Sequence, residues 1–313
     1  MGIPIGGPRI PRVSCHVPEL PEVEVLVRHL RPLLKHRRVR RVYVLRPKIV
    51  APGSPEEFAK ALRGRTFSDL DRRGKYLVFT LRSSRKPATF QLLGHLGMTG
   101  RMYLLPAGEP WPKHAAVVLQ LDRDQFVFED TRYFGRLTLD LSPLRKLGPE
   151  PLERTFSLDY FIQQLQRSSQ PIKVKLLDQT LVAGVGNIYA SEILFRAGVS
   201  PRLSARKLTS SQAERVWIAS REVLTEAIQC GSTVPLSFGE GRRSDSFFYF
   251  GRAPGALDYY AERLFVYDRA DQPCSCCGTP IRRFVQAGRS TFFCPKCQSN
   301  KRGCEPRPGS KTV

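Results

Sequence analysis

The sequence lacks any apolar run approaching the roughly 18 residues a membrane-spanning helix needs, so a span is excluded. Its first sixteen residues, MGIPIGGPRIPRVSCH, lack the continuous apolar stretch of a secretory signal; rich in proline and glycine, they are expected to be disordered. A cytoplasmic protein, in bacterial terms one of cytoplasm or nucleoid, is therefore expected. There is no internal repeat. Acidic residues are scarce: 28 Asp and Glu stand against 50 Lys and Arg in 313 residues, a formal charge of +22. That imbalance favours a polyanionic partner, nucleic acid before anionic lipid, although a cationic surface also serves solubility.

Apolar residues make up 41 % of the chain, an ordinary globular composition, and the length suits two domains. In PEVEVLVRHLRPLL, Val23, Val27, Leu30 and Leu34 recur at helical spacing, Pro21 fits the first helical position, and Glu22 and Glu24 suit the positive end of the dipole. Ser54-Pro55-Glu56-Glu57 reads as a capping box for a second helix ending at Gly64. Around them, Val42 with Val44, YLVFTL (76–81), VVLQL (117–121) and QFVFE (125–129) read as short strands of a sandwich or barrel. After the proline-rich LSPLRKLGPEPL (141–152) the pattern turns helical. Ser157 caps LDYFIQQLQ, a second helix covers Lys173 to Thr180, a third is NIYASEILFRAG, and Ser211 to Glu214 reads as another capping box whose helix closes at Gly231. Residues 236–262, rich in glycine and aromatics, read as a long loop.

Cysteine is not scarce, but five of the eight crowd between Cys274 and Cys297. Cys274-x2-Cys277, sixteen residues, then Cys294-x2-Cys297 is the spacing of a four-thiolate zinc site rather than a disulfide framework; four thiolates leave no open coordination position, so the ion is expected to be structural. Cys276 and Cys304 fall outside the x2 spacing. IRRFV and STFF supply strands for a zinc-held hairpin, whose Arg282, Arg283 and Arg289 suit phosphates or a merely solvated surface.

Several stretches in order, PELPEVE (18–24), RRGKYL (72–77), HLGMTG (95–100) with DTRYFG (130–135), LVAGVGNIYASE (181–192) and the cysteine cluster, resemble the signatures of the formamidopyrimidine-DNA glycosylase family over residues 18–298. The resemblance implies an α+β multidomain fold: an N-terminal β-sandwich with flanking helices, then a helix–two-turn–helix bundle and a β-hairpin zinc ribbon. It divides the chain into an extension (1–17), a catalytic sandwich (18–145), a helical domain (146–235), a lesion-recognition loop (236–263), the ribbon (264–298) and a basic tail (299–313). The partner implied is double-stranded damaged DNA, bound by a monomer with one structural zinc ion.

The resemblance also assigns roles. Pro18 is the nucleophile, Glu19 the general acid, Glu22 a supporting acid and Lys75 the lysine that reaches into the site. Met98, Arg132 and Phe134 fill the space left by an extruded nucleotide, while His95, Lys173, Asn187 and Arg289 contact DNA, with the Gly184 and Gly186 turn approaching it closely. A proline inside a chain is an amide and cannot attack, so Pro18 must become the first residue. Val17 then stands where a start codon is read as Met and removed, or trimming exposes Pro18, or the extended protein is inert. Tyr133 stands where the family often has a basic residue, and Asp268 where it commonly has glycine. The implied activity is a bifunctional glycosylase and abasic-site lyase for oxidised purines. Alternatives are oxidised-pyrimidine excision like that of endonuclease VIII, or a non-catalytic damaged-DNA-binding protein with a blocked nucleophile.

Overall fold

The computed structural model describes residues 17–83, 89–231 and 264–299. The two ends and the long loop anticipated at 236–262 lie outside the described residues. Helix α1 (Leu20–Leu34) begins one residue before Pro21, on an extended Glu19, and carries Glu22 in its first turn. Its apolar stripe is divided between two cores: Val23, Leu26, Val27, Leu30 and Leu34 pack into the N-terminal half, while Leu20 belongs to the C-terminal one. One helix thus stitches both halves together at the residue after Glu19.

The N-terminal half continues with β1 (Arg41–Val44), α2 (Pro55–Leu62), β2 (Thr66–Arg73), β3 (Tyr76–Arg82), β4 (Thr89–His95), β5 (Gly100–Pro106), β6 (Ala115–Gln120), β7 (Asp124–Asp130) and β8 (Arg136–Thr138). These strands make two four-stranded antiparallel sheets, β1-β6-β7-β5 and β2-β3-β4-β8. The sheets face one another across a shared core, where Phe79 of β3 meets Phe126 of β7 edge-on with ring centroids 5.7 Å apart. This is the expected sandwich. Ser54 caps α2 by accepting from the Glu57 N–H at 3.1 Å, and the helix stops at Leu62, two residues short of Gly64.

A short α3 (Ser142–Arg145) leads to α4 (Leu158–Gln166), α5 (Ile172–Leu176), α6 (Asn187–Arg196) and α7 (Ser210–Gln229), followed by the hairpin β9 (Arg282–Gln286) and β10 (Arg289–Phe293). Helix α6 is buried from Ile188 to Phe195, the mark of a helix surrounded by protein on all sides. Two boundaries differ from the sequence reading. Helix α5 ends at Leu176 because the Asp178 carboxylate accepts from the N–H and hydroxyl of Thr180 and holds a turn where another helical turn was anticipated. Helix α7 is capped by Thr209 and Gln212, not from Ser211: the Thr209 hydroxyl accepts from the Gln212 N–H and the Gln212 carbonyl oxygen from the Thr209 N–H. Val266, Ile281 and Phe292 share one core with α6 and α7, so the ribbon is fused to the helices rather than tethered.

Candidate active site and nucleic-acid interface

Where the halves meet, a cavity of about 310 Å³ is lined by Val17, Glu19, Lys75, Asn187, Tyr267 and Arg289 among others. Val17, 37 % exposed, lines it, and Pro18, buried, lies in the chain between the lining residues Val17 and Glu19. The carboxylate of Glu19 accepts from the N–H groups of Ile188 at 2.8 Å and Tyr189 at 3.3 Å, the first free donors of α6. Its own N–H donates to Glu22 at 2.8 Å, and Glu22 in turn accepts from the Tyr189 hydroxyl at 2.7 Å. Burial pushes the Glu19 carboxyl up to about 7, against the nearby Lys75 ammonium, with help from Glu22 and against the two α6 N–H groups. Lys75 sits in the two-residue β2–β3 turn; burial lowers its pKa, Glu19 and Glu22 oppose this, and Arg289 adds to it. An acid held near neutrality beside an amine with weakened protonation can move protons at neutral pH.

The glycines of the 184–187 turn are required by a contact within the protein. Gly184 has φ +89°, and a Cβ there would lie 2.6 Å from the Leu20 Cβ; one on Gly186 would lie 2.2 Å from the Glu19 carboxyl carbon. The close approach they permit is to the start of α1. The Leu20 N–H also donates to the Gly184 carbonyl at 3.0 Å.

Of the three residues expected to fill the void, Met98 is partly buried, while Arg132 and Phe134 are exposed, with the Arg132 guanidinium carbon 4.9 Å from the centre of the Phe134 ring. Phe134, 54 % exposed, is a large apolar side chain left in solvent. Their loop is held by fully buried Asp130, which accepts from Thr99 Oγ1 and from the N–H groups of Arg132 at 3.1 Å and Gly135 at 2.8 Å. His95 ends β4 against the Tyr76 ring, and its Nδ1 accepts from the Gly97 N–H at 3.1 Å, which leaves the proton on Nε2. Burial, Lys75 and Arg136 bring its pKa down to about 4, so it meets a partner as a neutral donor.

Lys173 departs from the expected phosphate ligand. It is 1 % exposed, and its three protons go to Asn187 Oδ1 at 2.7 Å, Thr291 Oγ1 at 2.8 Å and the Ser290 carbonyl at 3.1 Å. Burial lowers its pKa to about 7, opposed by Glu19 and reinforced by Arg289. Lys173 therefore braces Asn187 and β10 from behind. Asn187 also donates to the Ser290 carbonyl at 3.0 Å, whereas Arg289 is exposed at the cavity and makes no ion pair among the described residues.

Of the other site-forming residues, Glu192 reads from the sequence as buried and structural, as it is, whereas Tyr267 and Glu150 are not singled out. Tyr267 lines the cavity and its hydroxyl lies 3.5 Å from Asn187 Nδ2. Glu192 accepts from the N–H groups of Phe265, Val266 and Tyr267 and so fixes Tyr267 on α6. Glu150 accepts from the Gly74 N–H at 2.6 Å and pairs with Arg72 and Arg73, tying the turn that carries Lys75 to the segment between the halves. Of Tyr267 and Glu150, only Glu150, a charge between two prolines, left a visible mark in the sequence. Asp268 has φ +59°, a left-handed conformation that Asp tolerates better than most residues and that glycine adopts freely.

The four sulfurs of Cys274, Cys277, Cys294 and Cys297 lie within 4.8 Å of one another, with the 274–297 pair at 3.8 Å and the 277–294 pair at 3.5 Å. A tetrahedral zinc ion with Zn–S bonds of about 2.3 Å needs sulfurs about 3.8 Å apart, so the donor set fits one structural zinc. Cys276 adds no sulfur to the cluster, as its place outside the x2 spacing requires. Cys304 lies outside the described residues.

A β-sandwich joined to a helix–two-turn–helix bundle and a four-cysteine ribbon, with an acid and a lysine in the cleft, defines a class of two-lobed zinc-ribbon proteins. The formamidopyrimidine-DNA glycosylase N-terminal domain matches residues 17–137, the H2TH domain of the same glycosylase residues 147–237, and the zinc finger found in FPG and IleRS residues 271–300. The formamidopyrimidine-DNA glycosylase of Thermus thermophilus is 42 % identical over 289 residues, covering 90 % of this chain and 98 % of that protein. The Desulfitobacterium hafniense enzyme is 40 % identical over 289 residues, covering 90 % of this chain and all of its own length. The Lactococcus lactis protein in complex with abasic-site DNA superposes with a TM-score of 0.78 at 31 % identity, over 90 % of this chain and 100 % of that one. The chain belongs to the formamidopyrimidine-DNA glycosylase family.

Proposed function

We propose that the protein is a DNA glycosylase of base-excision repair that removes oxidised purines from duplex DNA and then cleaves the abasic strand. The observation that carries this reading is the meeting of Glu19 and Lys75 at one cavity, with Glu19 held near neutrality by burial and Pro18 between the two lining residues Val17 and Glu19. Freed as a terminal amine, Pro18 attacks C1′ of the extruded nucleotide. The bond to the base breaks, the base leaves with a proton, and Glu19 delivers its proton to the ring oxygen as the sugar opens to an iminium. The iminium acidifies C2′–H, whose loss expels the 3′ phosphate; a second elimination expels the 5′ phosphate. The relatives' names and the Lactococcus lactis complex with Fapy-dG-containing DNA support this substrate class.

Zinc holds the ribbon; the bond-breaking groups are the chain's own. Arg132 and Phe134 enter the vacated stack with Met98, and Arg289, Asn187 and neutral His95 meet the backbone. A bacterial cytoplasmic or nucleoid location and a monomer fit this role, and no helix among the described residues is long and apolar enough to cross a membrane.

A second reading is favoured by Val17, which lines the cavity while acylating Pro18: with residues 1–17 attached, the protein would bind damaged DNA without reacting. Borohydride trapping on abasic-site DNA separates the two. A covalent adduct from protein beginning at Pro18, lost on Pro18→Gly with an acetylated terminus, is the expected result; tight binding with no adduct from that version would overturn the enzymatic reading. Intact mass of the native protein reports whether residues 1–17 remain, and excision from 8-oxoguanine, formamidopyrimidine and thymine-glycol duplexes ranks purine against pyrimidine lesions.

A further inference from the structure

Between exposed Arg132 and Phe134, Tyr133 is partly buried against the sandwich core at φ +56°, so the loop sends its neighbours outward and this ring back. The Arg46 guanidinium carbon lies 5.1 Å from the centre of that ring, and the Tyr133 hydroxyl lies 3.5 Å from His114 Nδ1. Arg46 is exposed, and its backbone is fixed on both sides: its N–H and that of Leu45 donate to the Ala116 carbonyl, and the helical turn Pro47–Ile49 follows.

Among the described residues, Arg46 shares the lack of an acid with other arginines of its lobe, such as Arg38 and Arg41, but it alone lies over the Tyr133 ring beside Arg132 and Phe134. Arg31, Arg37 and Arg40 in the same lobe each meet an aspartate, whereas no carboxylate among the described residues lies within ion-pair distance of Arg46. One N–H goes to the Leu45 carbonyl at 3.0 Å. Of five donors in a planar fork, the rest remain for a partner, and stacking on an aromatic ring reduces the side-chain freedom lost when that partner binds. Fork geometry matches an oxyanion pair, and the only polyanion brought to this loop is the strand that the wedge enters.

We propose that Arg46, carried on the Tyr133 ring, is a DNA-phosphate ligand flanking the wedge, supplying from β1's end the charge that residue 133 itself does not carry. The inference rests on the reading that Arg132 and Phe134 enter damaged DNA. The contact positions the duplex and does not touch the reacting atoms.

Its test is the salt dependence of full-chain binding to a duplex with a tetrahydrofuran abasic analogue, by fluorescence anisotropy. Arg46→Ala is expected to weaken binding about tenfold near 0.1 M salt and to lower the magnitude of the slope of log K against log salt by about 0.9. Arg46→Lys should keep the slope while losing part of the affinity. Tyr133→Ala should weaken binding in the wild-type background and add little to Arg46→Ala, because platform and ligand act as a unit. Wild-type affinity and slope in Arg46→Ala would overturn the proposal, as would full additivity of the two alanine variants. If the wild-type chain does not prefer the abasic duplex to undamaged DNA, the functional reading fails instead, and the two failures are distinct.

Discussion

Buried Glu19, Glu150 and Glu192 each accept main-chain N–H from another segment, and buried Asp130 accepts it from its own loop. A carboxylate is costly to bury, and charge-assisted bonds to N–H groups offset that cost only while both sides stay in register. Glu19 differs from the others in having Lys75 and a cavity in front of it. Glu19→Gln should keep the α6 contact through its amide oxygen yet lower single-turnover base excision about 10²-fold or more, since the proton donor is lost. The raised pKa also sets a pH dependence. The folded protein holds this proton more tightly than the unfolded chain, so the associated stability is complete below the ordinary value of 4.5 and is lost as pH rises through about 7. Excision should fall across the same upper range, and a pH–rate profile in which Glu19→Gln abolishes that limb checks it. Gly186→Ala probes the same contact sterically: its Cβ would displace the Glu19 carboxyl, so excision should fall with little change in DNA affinity.

At the scale of elements, what was legible in sequence was what is local. Helices α1, α2, α4 and α6 and the zinc hairpin announced themselves by apolar spacing, caps or cysteine pairs contained within each segment. Strand β2 was not legible, because TFSDLDRR carries Asp69 and Asp71 and breaks alternation at a register shift between Phe67 and Asp69. Its polarity is answered from elsewhere, by Arg31 of α1 pairing with Asp71 and lying 3.4 Å from Asp69. The role of Lys173 was illegible for the same reason: its acceptors lie 14, 117 and 118 residues away. Glu150 holds the turn that contains Lys75 by bonds spanning more than 70 residues. Glu150→Ala leaves the Gly74 N–H without its acceptor and takes one carboxylate from each of Arg72, which keeps Glu24, and Arg73, which keeps the Leu147 and Gly148 carbonyls; it should cost about 2–4 kcal/mol. Hydrogen exchange should show Gly74 losing protection ahead of the rest of β2 and β3, and abasic-site trapping should slow because Lys75 is no longer held; unchanged exchange at Gly74 would show that the turn is held by other contacts.

For the molecule as a whole, the cleft is assembled from three parts whose positions depend on one another. Helix α1 delivers Glu19 from one end and packs its length on the sandwich, α6 receives that carboxylate, and β10 brings Arg289 to the opposite wall. The ribbon is the part with the least support of its own, since a two-stranded hairpin is marginal in water and β9–β10 has only a share of the helical core and the metal beneath it. Zinc removal should therefore act at a distance from the metal. Without the cluster, Ser290 and Thr291 leave Lys173, which keeps only Asn187 as an acceptor for a buried ammonium, and Arg289 leaves the cavity. A chelator that releases one zinc per chain is expected to weaken DNA binding more than tenfold, by analogy with losing several phosphate contacts, while the sandwich keeps its own thermal transition. Calorimetry and anisotropy on the same sample check both parts, and a zinc-free protein that binds the abasic duplex as tightly as before would mean that the ribbon does not position the cleft.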